Sequence, residues 1–208
     1  STSASERLAL LENLRAALVK YQDELAVAIA ADFGHRSHHE TKFAEILTSL
    51  ENIKYYSKHL KDWMKPEKRH MNPPHLPAKG WVEYQALGVV GVITPWNYPV
   101  LLAISPLICA LAAGNRVMLK MSSFTPRTGE TLKRALAEAF SEDQVAVITG
   151  GGVVSDAFSR LPFNQITFTG STNVGRTVMA AAAENLTPVL LELGGKSPCI
   201  IHESFPMK

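Results

Sequence analysis

Three short stretches carry side chains spaced for chemistry. In Phe168-Thr169-Gly170-Ser171-Thr172-Asn173-Val174-Gly175-Arg176-Thr177, two glycines frame four residues where a β-branched run gives way to a helical one. A helix that starts there exposes unpaired N–H groups and the positive end of its dipole, so an anion can dock. The spacing nearly matches the phosphate loop GxxxxGK[ST], but Arg176 stands where the compact lysine charge should be. A tight strand-to-helix turn would need the same glycines for packing alone. In Leu191-Glu192-Leu193-Gly194-Gly195-Lys196-Ser197-Pro198, a carboxylate sits at the end of an apolar run, ahead of a Gly-Gly turn. Partial desolvation would make Glu192 a useful general base; an edge-strand Glu192 paired with Lys196 is the plainer alternative. In Thr94-Pro95-Trp96-Asn97-Tyr98-Pro99, two prolines clamp a loop after a buried run. Such a loop can hold Asn97 as a fixed N–H donor to an oxyanion, or serve as a rigid connector with a core tryptophan.

These residues need a frame to hold them. Ser3 and Glu6 have capping-box spacing, and Leu11, Leu14, Leu18, Tyr21 and Leu25 form one stripe of a long helix. A second helix is expected over about Phe43–Met64, with Phe43, Ile46, Leu50, Ile53, Leu60 and Trp63 on one face and Pro66 as its stop. The segment between them, through His35-Arg36-Ser37-His38-His39, reads as a polar connection rather than a metal site. Residues 65–80 are proline-rich and irregular, and Trp81–Gln85 reads as a half-exposed strand. Val89–Ile93 reads as a more buried strand, and from Pro95 onward short β-branched runs alternate with helical ones: strands at Arg116–Lys120, Val145–Thr149, Gln165–Thr169, Val189–Leu193 and Cys199–Ile201. Strand–helix–strand repetition predicts α/β architecture, a doubly wound parallel sheet preceded by a helical segment. Ligands of such sheets bind outside the carboxyl ends of the strands, where most of the glycines fall. The dinucleotide fingerprint GxGxxG is absent both from the Gly170 turn and from Gly150–Ser155.

Composition narrows the field. Hydrophobic residues make up 46% and charged residues 19% of 208, enough for a substantial core. A net charge of +2 without a basic stripe speaks against nucleic acid as a partner. The apolar stretch Pro99–Ala113 is interrupted and too short for a membrane span, and the polar opening Ser1-Thr2-Ser3 does not read as a secretory leader. Two cysteines cannot frame a disulfide scaffold, so a cytoplasmic setting is expected. Cys109 and Cys199 both read as small core residues.

Taken together and in this order, PWNYP, LAAGNRVMLK, FTGSTNVGR and LELGGKSP resemble the aldehyde dehydrogenase superfamily over essentially the whole chain. FGHRSHHETKFAEI, MLKMSSFTPRTG and NLTPVLLELGGKSP are most similar to its coniferyl aldehyde dehydrogenase group, in the class 3-like branch. The resemblance implies oxidation of an aldehyde to the acid with NAD+ through a cysteine thiohemiacetal. It casts Asn97 as oxyanion donor and Glu192 as the base for the hydrolytic water. Lys120 would meet the adenosine ribose, Gly170 and Ser171 the pyrophosphate, and Val174 and Gly175 the adenine side. Trp96 would flank the cofactor and substrate tunnel. Ser123 stands where the family often has a ribose-binding glutamate, so NADP+ would be tolerated too. By the same resemblance, 1–70 is a helical segment packing on the cofactor domain. Residues 71–94 are a linker and the start of an oligomerisation hairpin, implying a homodimer. Residues 95–208 are an incomplete dinucleotide-binding domain. The family's nucleophile lies downstream in a Gly-Gln-x-Cys setting, so the 208 residues are expected to lack it, along with the catalytic domain, and to be inactive alone. The alternative is a non-catalytic nucleotide-binding fragment, with a phosphate-loop NTPase a further one.

Overall fold

A computed structural model describes residues 2–206. The chain begins with the 30-residue helix α1 (Ala4–Phe33), whose Ser3 and Glu6 form the capping box and whose leucine stripe is buried. Gly34, at φ 80°, ends it in the left-handed region. Next, α2 (His38–Glu40), a π-helical stretch Thr41–Leu47 and α3 (Thr48–Trp63) follow one another without a break. The wider π turn breaks the simple stripe. Thr41, Glu45, Ile46, Ser49, Ile53 and Leu60 are buried, while Phe43 (73% exposed) and Trp63 (43%) face outward, against expectation.

Strands β1 (Glu67–Arg69) and β2 (Gly80–Val82) make a short antiparallel hairpin with exposed faces. The main sheet is wholly parallel. Its strands are β3 (Val89–Ile93), β4 (Arg116–Lys120), β5 (Val145–Ile148), β6 (Gln165–Gly170) and β7 (Val189–Leu193), in the order β5-β4-β3-β6-β7. The crossovers are α4 (Leu101–Ala112), α5 (Pro126–Ala139), α6 (Gly152–Ser159) and α7 (Thr172–Ala183). The sheet therefore starts at Val89, ahead of the boundary expected at residue 95, and β3 is its central strand because it pairs with both β4 and β6. The chain leaves β3 toward β4 and later returns to its other side at β6. That reversal makes the β3–β6 boundary the switch point where parallel sheets open a crevice.

Two cores sit on the sheet. Residues of α1, α3, α4 and α5 pack with β3, β4 and β5, while Phe158, Phe163, Ile166, Phe168, Val178 and Ala182 form the smaller core under α6 and α7. Asp32, near the end of α1, accepts from the N–H groups of Arg127 and Thr128 and from the Thr128 hydroxyl, tying α1 to the start of α5. Cys199–Ile201 is not a strand: residues 194–206 carry no helix or strand, and Ile200 is 93% exposed. An apolar run without a neighbour to pair with has no reason to extend as a strand. Among the described residues no helix is long and apolar enough to cross a membrane, and no cluster of three or more His, Cys, Asp or Glu is placed to hold a metal.

Candidate functional site

An open groove of about 1520 Å³ is lined from the carboxyl ends of the strands down to Val90, Asn115 and Gln165 near their amino ends. Trp96, Asn97, Lys120, Ser123, Gly170, Ser171, Val174 and Glu192 all line it, from segments far apart in the chain. Period-two alternation decides which side each β7 residue serves: Val189 and Leu191 pack into the small core, and Leu190 and Glu192 face the groove.

Each strand end presents its residue differently. Past β3, Thr94 is buried, and both its N–H and its hydroxyl donate to the Lys120 carbonyl, at 3.1 and 3.3 Å. That fixes where the Pro95–Pro99 loop leaves the sheet. Trp96 is half exposed and lies against Phe33, with ring centroids 5.8 Å apart, so it is not a core tryptophan. Past β6, Ser171 is the N-cap of α7, and its hydroxyl accepts from the Val174 N–H at 3.4 Å. The helix starts at Thr172, so Thr172 to Gly175 lie within a helical turn and not in a loop able to wrap a phosphate. Arg176 does not line the groove. Both facts remove the geometric basis for the NTPase alternative. What remains is an open helix N-terminus facing the groove, suited to one anionic group.

Lys120, at the end of β4, is 1% exposed. Its Nζ donates to the carbonyls of Met121 and Gly150, each at 2.7 Å, and burial holds its ammonium below the ordinary lysine range. It thus ties the β4 and β5 ends together and keeps one donor over for a hydroxyl in the groove. Ser123 and Phe124 lie exposed beside it. The start of α7, Lys120, Ser123 and the apolar side chains of Val174 and Val178 thus line one groove.

Three sequence expectations change. Gly175 is buried and does not line the groove; a Cβ there would meet Leu193 Cδ2 at 2.8 Å, so its role is close packing of α7 on β7. Glu192 is exposed, not desolvated, because β7 is the sheet's edge and no described residue covers that face; it makes no hydrogen bond or ion pair with Lys196 among the described residues. Cys109 and Cys199 are both exposed rather than core. Cys109 lines the groove, and its Sγ lies 2.9 Å from the Tyr56 hydroxyl, which together with burial pushes Tyr56 up to about 12.

Sequence reasoning missed Arg36 and Glu45. Glu45 is fully buried and accepts from the N–H groups of Val100 and Leu101, at 2.8 and 3.0 Å. It caps the start of α4, which has no capping side chain of its own. Burial raises its carboxyl above the ordinary range, opposed by those two N–H groups and by Arg36. An acid beside Ile46 on an apolar stripe was the available signal.

Known proteins resemble this chain over nearly its whole length. The family model described as "Aldehyde dehydrogenase family" matches residues 1–207. A probable coniferyl aldehyde dehydrogenase of Pseudomonas aeruginosa is 57% identical over 205 residues, 99% of this chain and 43% of that protein. Among solved structures, the substrate-bound state of Staphylococcus aureus AldH superposes with a TM-score of 0.91 at 38% identity, covering 97% of this chain and 44% of the other. A Mycobacterium tuberculosis aldehyde dehydrogenase complexed with NAD+ gives 0.82 at 32% identity, covering 94% and 40%. The chain thus spans less than half the length of these relatives.

Proposed function

The chain belongs to the aldehyde dehydrogenase family, and from that premise we propose that it forms the cofactor-binding part of an enzyme that oxidises an aldehyde to the acid with NAD+, NADP+ being accepted as well. The observation that carries this reading is the convergence of Asn97, Lys120, Ser171 and Glu192 on one groove, from the carboxyl ends of four strands. A bound NAD(P)+ supplies a hydride acceptor. The residues of this chain bind and orient around it. The α7 N-terminus receives the pyrophosphate, and Lys120 and Ser123 receive the ribose. With serine in place of a carboxylate at 123, no fixed charge repels a 2′-phosphate.

On the other side of the groove, the Asn97 amide donates to the alkoxide that forms when a nucleophile adds to the aldehyde carbon. Once the aldehyde hydrogen has left as hydride, an acyl group remains on the nucleophile, and Glu192 takes a proton from the water that hydrolyses it. The nucleophile is a cysteine thiolate from the part of the relatives that this chain does not span. The substrate is an aromatic aldehyde of the coniferyl type, in line with the P. aeruginosa relative. The segment 71–94, which includes β2 and the exposed Trp81 and Tyr84, is where a second subunit docks in a cytoplasmic homodimer.

The test is NADH formation on mixing the whole protein with coniferyl aldehyde and NAD+, with NADP+ in parallel. Sustained turnover with either cofactor is expected, and none from the 208 residues alone. Turnover by the 208 residues would mean that the nucleophile lies within them. NAD+ binding without oxidation of any aldehyde by the whole protein would favour the non-catalytic alternative.

A further inference from the structure

Asn97 makes no side-chain hydrogen bond to any described residue, and it is exposed in the groove. Its aim is therefore set by its backbone. That backbone is gripped from outside the sheet by a single ion pair. The Arg36 guanidinium lies between the rings of Phe33 and Tyr98, 3.9 and 4.9 Å from their centroids, and its side chain is 12% exposed. Its Nη1 donates to the carbonyl of Asn97 itself at 2.7 Å and faces Glu45 Oε1 at 3.5 Å. The other Glu45 oxygen accepts from Val100 and Leu101. One pair thus holds Asn97 directly and also holds the residues three and four positions beyond it.

Among the described residues this is the one ion pair with a fully buried member; in every other, both side chains are 40% exposed or more, except for the Arg36–Glu40 contact on the same guanidinium. Buried pairs are poor devices for plain stability, since desolvation offsets most of their attraction. They do fix geometry, and an oxyanion donor works only within a few tenths of an ångström of its target. Neither Arg36 nor Glu45 lines the groove, so neither reaches the substrate. Glu45 can reach the loop because the π-helical turn swings it inward.

We propose that Arg36 and Glu45 are positioning residues that set the aim of the Asn97 amide, an inference that rests on the oxyanion role proposed for Asn97. The test is a double-mutant cycle in the whole protein. Arg36→Met is expected to lower kcat about tenfold to a hundredfold, with NAD+ affinity by calorimetry unchanged. In the Asn97→Ala background the same substitution should change kcat less than about twofold, because the donor being aimed is already gone. Arg36→Lys and Glu45→Gln, which keep a donor and an acceptor in place, should retain part of the loss-prone activity. If Arg36→Met does not fold, the smaller loss in Arg36→Lys is carried through the same cycle and should disappear in the Asn97→Ala background. Losses that multiply in the double variant would overturn the positioning role and leave a structural one. A silent Asn97→Ala would instead sink the oxyanion reading, and the positioning role with it.

Discussion

The two groove residues assigned to the chemistry sit at strand ends built in opposite ways. Asn97 follows the central strand, and its loop is tied down by Thr94, by Arg36 and, through α4, by Glu45. Glu192 lies on the edge strand, exposed, ahead of a Gly-Gly turn that leads into residues with no regular structure. The contrast teaches that the proposed donor for a developing charge is aimed by contacts within this chain. The proposed base has no comparable hold among the described residues.

The largest effects should appear in turnover and touch both ends. Glu192→Gln in the whole protein is expected to lower kcat by about 10²–10⁴, and Asn97→Ala by about 10²–10³, measured as steady-state NADH formation. If either were silent, that end would lose its part in the chemistry. The second prediction separates the ends by stability. Glu45→Ala leaves Arg36 without its buried partner and two N–H groups without an acceptor, and should destabilise the fold by about 3 kcal/mol. Glu192→Ala should stay within about 0.5 kcal/mol. Denaturant unfolding measures both, and equal losses would erase the contrast.

A smaller effect is expected in the pH dependence. Because burial raises the Glu45 carboxyl above its ordinary value of 4.5, the unfolded chain gives up this proton at lower pH than the folded one. Stability contributed by this group therefore falls as pH rises from about 4.5 toward its folded value, then levels off. Glu45→Gln should flatten that slope in urea midpoints, and Glu192→Gln should leave it unchanged. The smallest effect is at the β7 side of α7. Gly175→Ala pushes on the movable end of Leu193, which is 40% exposed, and should cost about 1 kcal/mol or less with NAD+ affinity kept, as measured by thermal unfolding and calorimetry.

Much of the frame was legible in the sequence because it is written locally. Ser3 and Glu6 announce a helix start, and short apolar runs marked all five strands of the parallel sheet, four of them ending within two residues of glycine or proline. The groove residues followed because parallel strands place their carboxyl ends together, though the roles of Lys120 and Ser123 came from resemblance alone. The errors share one physical cause. Whether Glu192 is desolvated, Cys109 covered or Cys199–Ile201 paired depends on neighbours far along the chain or outside it. Phe43 misled because a π turn shifts the periodicity that a helical stripe assumes. The Arg36–Glu45 grip joins residues 36 and 45 to residues 97–101, a contact that no local spacing encodes.

The central claim is that this chain by itself fixes the β3 end of the groove and leaves the β7 end open. Amide hydrogen exchange on the 208 residues tests it most directly. Val100 and Leu101, whose N–H groups are held by Glu45, should be strongly protected, and Glu45→Ala should abolish that protection. Gly195, Lys196 and Ser197 should exchange almost as fast as an unfolded chain. Rapid exchange at Val100 and Leu101, or equal protection at both ends, would contradict the account.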